Sequence, residues 1–459
     1  MPDIEKGKPV HCIEDVTGKQ LAGSLLLSDD VIRTDLYSYH ELVHVDAEAP
    51  IYLIAETGHV VSLHSSVDRG SGTRHSHDRA IYHQSLIANI AVIGYDRWTL
   101  SDKVKKVCFT VKHSMELLHN RDKVETLGST RYPKVEDLRL FEDAADDMRL
   151  RASYGARYGM DFDAPKELWP SFEIEFDEPQ NIHDYIRHVS NYVHFLSFCL
   201  GAKLKPGNIR IDRISRAETM AAIEADSYRG DYEVHYVWPE EEIASGELWV
   251  GGSPVRAWND EELAALRACL VIWMVRADEW KKSYAMMMMS LSLRNVISAE
   301  RLINACRWFE EIPIAQAQSV LPTHHVDAIA VTAAQKAQEL GHSPKIQDRI
   351  AGAIRRLKAE SSEEQFKRLV AMVEQKLGIG IMPENTVAHL KRAIQFRGKA
   401  AHGHFDPESD EEFRAFSKST QAMEALCYLL TALNLPMSAE GTKRVRNHPL
   451  VQNYHLAYE

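Results

Sequence analysis

The chain has 459 residues, 45% hydrophobic and 26% charged, the balance of a folded globular protein with two or three domains. A formal charge of -12 excludes a protein that coats nucleic acid nonspecifically, because phosphate is repelled on average, while a local basic site stays open. No apolar run reaches the length of a membrane span: Leu263 to Val275 is interrupted by Arg267, and no apolar stretch follows a basic start at the N-terminus.

The six cysteines (Cys12, Cys108, Cys199, Cys269, Cys306 and Cys427) form no close pair, so no zinc-ribbon or redox motif is expected. Most lie in apolar runs, as reduced core thiols do, and a cytoplasmic location follows by default. Charge is uneven along the chain. Val135 to Asp147 and Glu240 to Glu247 are acidic, whereas Lys336 to Lys358 and Lys391 to Lys399 are net basic.

The predicted fold class is α+β, a β-rich N-terminal domain followed by an all-α C-terminal bundle. Residues 1–180 read as strands: Ser24 to Leu27, Ile51 to Ala55, Ile87 to Tyr95 and Val104 to Val111 are β-branched or apolar runs between turn residues. Gly18-Lys19 and Gly23 mark an early hairpin, and Asp68 to Asp78 reads as a polar loop. Phe172 to Phe176 alternates as a half-buried strand does. Residues 181–258 read as a mixed continuation or connector: a helix from about Ile182 to Cys199 stopped by Gly201, strands at Ile209–Ile211 and Tyr232–Val237, then a Gly/Pro-rich stretch to Trp258.

From 259 to 459 the pattern is helical. Helices are predicted over 260–282, 286–311, 325–340, 344–358, 362–377, 384–402 and 410–434. Asn259 with Glu262, Ser361 with Glu364 and Ser409 with Glu412 are start signals, and Ser343-Pro344 places proline at the first helical position.

The segment Phe396-Arg-Gly-Lys-Ala-Ala-His-Gly-His-Phe405 carries the candidate chemistry. Val387, Leu390, Ile394 and Ala401 form the predicted apolar stripe of the preceding helix, and Arg397 falls on it. A guanidinium there needs a partner or an interface. His402 follows at the helix end, before Gly403. The bland reading is that Arg397 pairs with a carboxylate and His402 benefits from the helix C-terminus.

The Arg397-x4-His402 spacing resembles the Arg-x(4–6)-His motif of the HEPN superfamily, which also lies late on a helix of a small bundle. The β-rich front half, the strand Phe172–Phe176, the helix 182–200 ending at Gly201 and a helix Leu291–Glu311 with Glu300 resemble ApeA-type anti-phage proteins. Those join an ApeA N-terminal domain to an ApeA-like HEPN domain, here about residues 285–435. The resemblance implies a metal-independent endoribonuclease of abortive-infection defence, with no cofactor. Its partners would be RNA, tRNA being one candidate, a second copy in a homodimer or higher even oligomer, and a phage-derived trigger sensed by the N-terminal domain.

It also implies Arg397 and His402 as the catalytic residues. His402 exchanges a proton near neutral pH, Arg397 holds phosphoryl oxygens, and the 2′-hydroxyl requirement restricts cleavage to RNA. Gly398 departs from the family, which often has Asn, Asp or His after the Arg. An inactive HEPN-like binding or oligomerisation module is therefore the alternative.

Three further residues are supporting candidates. His404 also satisfies the spacing, Glu300 is either an orienting group or a surface carboxylate, and Lys399, like Lys391, is either a phosphate contact or part of a solvated face. His75, His77 and Asp78, with His64 and His83 nearby, have the residue types of a metal tripod but no second cluster, so no metal is expected. Met286 to Met289 and the stripe Phe413, Phe416, Thr420, Met423, Cys427 and Leu430 read as core or dimer packing.

Overall fold

A computed structural model describes residues 10–15, 20–28, 31–39, 49–76, 79–130, 133–158, 165–237, 248, 250–401, 407 and 409–458. The chain divides into two compact units, Met1–Leu196 with Leu204–Ala244, and Ser197–Lys203 with Ser245–Glu459. The first is β-rich and the second helical, so the protein is α+β.

The first unit contains strands β1 (Val10–Asp15), β2 (Gln20–Leu27), β3 (Ile32–Ser38), β4 (Ile51–Ala55), β5 (Val60–His64), β6 (Val67–Ser76), β7 (Arg79–Ala88), β8 (Ile90–Gly94), β9 (Val104–Val111), β10 (Arg139–Ala145), β11 (Met148–Tyr158), β12 (Pro165–Gln180), β13 (Pro206–Asp212) and β14 (Tyr232–Tyr236). Among the described residues they hydrogen-bond in the order β10-β11-β12-β9-β13-β14-β8-β5-β4-β1-β2-β3-β7-β6. Helices α1 (Met115–Leu118), α2 (Arg121–Ser129), α3 (Val135–Leu138), α4 (Tyr185–Leu200) and α5 (Arg216–Glu224) interrupt them, the end of α4 passing into the second unit.

Period-two burial sets the register. Ile51, Leu53 and Ala55 of β4 point inward while Tyr52 and Ile54 are half-buried. Ile51 and Leu53 join Leu25, Leu36, Leu63, Leu86 and Ile93 in one apolar cluster. A second core forms where β9, β12 and α4 meet. Phe109, Phe172 and Tyr192 lie with ring centroids 4.9–5.5 Å apart, and such aromatic pairs add to the area they bury. The alternation in β12 is real, but its polar side is not simply solvated. Arg151 of β11 donates to Glu173, to Glu175 at 3.1 Å and to Glu142 at 2.9 Å.

Two sequence expectations change in this unit. The run Ile87 to Tyr95 breaks at Asn89 into β7 and β8. Of Asp68 to Asp78, expected as a loop, residues 68–76 belong to the strand β6 at the sheet edge, and His77 and Asp78 lie outside the described residues. β6 is polar because an edge strand faces water, and pairing with β7 across Asp68↔Leu86 to Ser76↔Arg79 makes it a strand. The strands expected at Ile209–Ile211 and Tyr232–Val237 are β13 and β14, which fill the middle of the order, between β9 and β8.

The second unit contains α6 (Asp260–Val275), α7 (Ala277–Ser292), α8 (Ala299–Glu311), α9 (Thr323–Glu339), α10 (Pro344–Arg356), α11 (Ser362–Leu377), α12 (Thr386–Ala401), α13 (Asp410–Ala432), α14 (Ala439–Arg444) and α15 (Pro449–Tyr458). Every residue of α13 from Ala422 to Ala432 is buried, which makes it the central helix. Of its predicted stripe only Phe413 is exposed. Within the methionine run Met287 and Met288 are buried and Met289 is exposed. Cys199, Cys269, Cys306 and Cys427 are free, buried thiols. No described helix is long and apolar enough to cross a membrane.

Two predicted helices, 260–282 and 286–311, become α6, α7 and α8. The break at Arg276 is tertiary in origin. Its guanidinium stands over Trp280 at 4.1 Å, donates to the Tyr284 hydroxyl at 2.8 Å and reaches Thr431 O at 3.1 Å. α8 starts at Ser298, whose hydroxyl accepts from Arg301 N.

Close backbone approach fixes one glycine. A Cβ on Gly252 would lie 2.1 Å from the Asn447 carbonyl oxygen. Gly252→Ala is expected to cost about 1–3 kcal/mol through overpacking, read as a lower urea midpoint at unchanged slope.

His448 supplies a pH dependence. It is fully buried and stacked on Tyr428 with centroids 3.6 Å apart. Its Nε2 faces Phe198 O at 3.1 Å, and its Nδ1 accepts from Leu450 N at 3.3 Å. That pattern fits only the neutral ring, and burial depresses the pKa to about 3. The unfolded chain therefore takes up a proton that the folded one refuses. Stability from this group is complete above the unfolded value near 6.5 and falls by about 1.4 kcal/mol per unit as pH drops toward 3. Urea melts at pH 7 and pH 5 should show this loss, and His448→Gln should flatten it.

Candidate functional site around Arg397

Helix α12 presents Thr386, Leu390, Ala393 and Phe396 to the core. The expected stripe is rotated. Leu390 is buried, Val387 and Ile394 are half-buried, and Ala401 is exposed. The reason is Phe396, which meets Phe416 of α13 edge to face at 5.5 Å and turns the helix toward α13. Arg397 thus lies at the flank of the buried face, with 30% of its side chain exposed.

From there Arg397 reaches α8. Its Nη1 donates to Glu310 Oε1, and its Nη2 donates to Glu310 Oε2 at 3.0 Å. This is a two-pronged guanidinium–carboxylate fork, which fixes the plane of the guanidinium as well as its position. Cys306, one turn before Glu310, is buried in α8, and burial pushes its thiol up to about 12 against the opposing charge of Arg397. The bland expectation for Arg397, a carboxylate partner, therefore describes its observed contact.

Glu310 was not among the candidates read from sequence. A signal for it existed. Glu310 and Glu311 close α8, where the helix dipole disfavours negative charge, so carboxylates there call for a nearby cation. Glu300 is exposed in the first turn of α8, about 15 Å along the axis from Glu310, and does not join Arg397.

Lys399 faces elsewhere. Two residues on from Arg397 it is turned by about 200° around the helix. Its Nζ donates to Glu412 Oε1 of α13 at 3.2 Å and sits 5.7 Å from the Phe396 ring centre. It lines a cavity of about 350 Å³ with Arg392, Gln395, Ser409, Glu411 and Glu412. Lys391 pairs with Glu363 of α11. Gly398 is exposed with open space around its Cα, so packing does not demand a glycine there.

His402, Gly403 and His404 lie outside the described residues, between the end of α12 at Ala401 and the cap of α13 at Ser409. So do His77 and Asp78 of the metal-like sequence. The remaining histidines of that set are separate. His64 of β5 is buried, His75 lies on β6 at the sheet edge, and His83 of β7 packs on Tyr37 with tilted rings, centroids 4.8 Å apart. β4, β1, β2, β3 and β7 intervene between β5 and β6. Among the described residues no group of three His, Cys, Asp or Glu side chains is arranged to hold a metal.

No protein-family model, no curated protein and no solved structure matches this chain.

Proposed function

We propose that the helical unit is a metal-independent HEPN endoribonuclease of anti-phage abortive infection, acting in the cytoplasm with Arg397 and His402 as its catalytic pair. The supporting observation is the fork from Glu310, which holds a part-exposed guanidinium in a fixed plane in the last turns of the helix that leads into His402. In this reading two copies bring their motifs to one RNA strand. The 2′-oxygen attacks the adjacent phosphorus, the bond to the 5′-oxygen breaks, and a 2′,3′-cyclic phosphate and a 5′-hydroxyl result. His402 takes the 2′-hydroxyl proton, the other copy's motif protonates the leaving oxygen, and Arg397 steadies the charge on the phosphoryl oxygens. The β-rich unit then senses the trigger, and tRNA is one candidate substrate.

The same fork favours a second reading, a catalytically silent module for binding or oligomerisation, because Glu310 already engages both terminal nitrogens of Arg397. Gly398 points the same way. Incubating the purified protein with total RNA in EDTA separates the two. Cleavage that persists in chelator and disappears in both Arg397→Ala and His402→Ala supports the enzyme. Intact RNA, or cleavage unchanged in either variant, rejects it.

A further inference from the structure

The β-rich unit holds a cavity of about 360 Å³ where β12, β9 and β13 run side by side. That volume is in the range of small-molecule sites. Its chemistry is one-sided. Lys112, Lys205 and His113 line it together with Trp169, and among the described residues no carboxylate is in the lining. In a chain of net charge -12 this is a local reversal of sign. Glu116, the acid beside it in sequence, is 3.3 Å from His113 Nδ1.

The backbone around the cavity is unusual in a coherent way. His113 (φ 67°) and Asn208 (φ 48°) adopt left-handed conformations, two of only five non-glycine residues that do so among the described residues, and both line this one cavity. Such conformations are costly for residues with a Cβ and cluster at ligand sites. Asn208 sits at a bulge in β13: Gly207 pairs with Thr110 but Arg210 pairs with Cys108, so two residues oppose one. Bulges of this kind bend a strand and re-aim side chains beside binding sites.

Trp169 is held in place from below. It pairs across the ladder with Gly155 of β11, and a Cβ on Gly155 would lie 2.4 Å from the indole Cε2 and Nε1. The ring covers the glycine, stays 37% exposed, and borders the cavity. An exposed indole over glycine is a stacking platform, and the lysines supply charge for a phosphate.

We propose that this cavity binds a nucleoside monophosphate, with the base on Trp169 and the phosphate at Lys112 and Lys205. An exposed indole and two cationic side chains at one cavity match a ligand that carries both a ring and a phosphate. The inference concerns the β-rich unit and does not depend on the nuclease reading.

The test is calorimetric titration of the full chain with AMP and UMP, with adenosine, ribose 5-phosphate and inorganic phosphate as comparison probes. Saturable one-to-one binding of a monophosphate is expected. Each partial probe should bind at least about tenfold more weakly, because base stacking and charge each carry that much. Trp169→Ala and the double variant Lys112→Ala/Lys205→Ala should each weaken binding by about tenfold or more. Lys112→Glu, a substitution of an exposed side chain that leaves the core intact, should do the same and keeps the test readable if another variant fails to fold. Two results would overturn the proposal: no saturable binding of either monophosphate, or binding untouched by all of these variants.

Discussion

Glu424→Ala is expected to destabilise the helical unit by about 3–5 kcal/mol, lowering its melting temperature by something on the order of 10 °C. Arg301 of α8 and Glu424 of α13 form an ion pair with side chains only 2% and 1% exposed. The pair is bidentate, with Arg301 Nε and Nη2 donating to the two carboxylate oxygens at 2.9 and 2.7 Å. Ser290 of α7 donates to the same carboxylate at 2.8 Å, and Arg301 Nη1 donates to Arg294 O at 2.6 Å. Removing the carboxylate strands a guanidinium in the core, and that desolvated charge is what makes the loss large. Replacing both partners with apolar residues of similar volume, as in Arg301→Met/Glu424→Leu, should restore most of the lost stability, because the pair itself offsets its own desolvation only narrowly. Urea unfolding followed by circular dichroism reads both variants. A single-variant loss below about 1 kcal/mol would mean that the site relaxes or admits water.

On the nuclease reading, Arg397→Ala should reduce RNA cleavage by about a hundred- to a thousandfold, the effect of removing a group aimed at transition-state charge. The same substitution should barely change stability. The Arg397–Glu310 pair is part-exposed, and pairs of that kind contribute about 0–1 kcal/mol. The separation of the two effects matters, because a loss of cleavage with an unchanged melting curve cannot be blamed on unfolding. Arg397→Lys should fail to restore the rate. An ammonium keeps the charge but cannot hold Glu310 with one edge of a planar fork while offering further donors to a phosphoryl oxygen. Single-turnover cleavage of a defined RNA, with melting curves measured beside it, gives both readings. Near-wild-type rates in Arg397→Lys would show that charge alone suffices and that the fork has no part in the chemistry.

Local signals located many elements well. β4 and β9 run from Ile51 to Ala55 and from Val104 to Val111, where the β-branched runs put them, and α11 runs from Ser362 to Leu377 behind its capping box. These are cases in which side-chain period and capping chemistry act over a few residues and agree with the tertiary environment. β10 and β11 were missed because Arg149, Arg151, Glu142 and Asp143 interrupt any simple alternation, and pairing with β12 makes them strands. The break at Arg276 was missed because it depends on aromatic rings one turn away on either side and on a carbonyl 155 residues on.

For the candidate site the division is sharper. The sequence by itself determined the α+β order and the proximity of Arg397 to the end of a helix, because periodicity, caps and terminating residues are local. It could not say which way Arg397 points. That was decided when Phe396 docked on Phe416 and turned α12, leaving Arg397 to meet Glu310 across α8, 87 residues away. The cavity of the β-rich unit is the same kind of fact. Trp169, Lys112 and Lys205 lie in three separate stretches of chain, and only the pairing of β12, β9 and β13 brings them together, since a sheet joins residues by hydrogen-bond register and not by nearness in sequence.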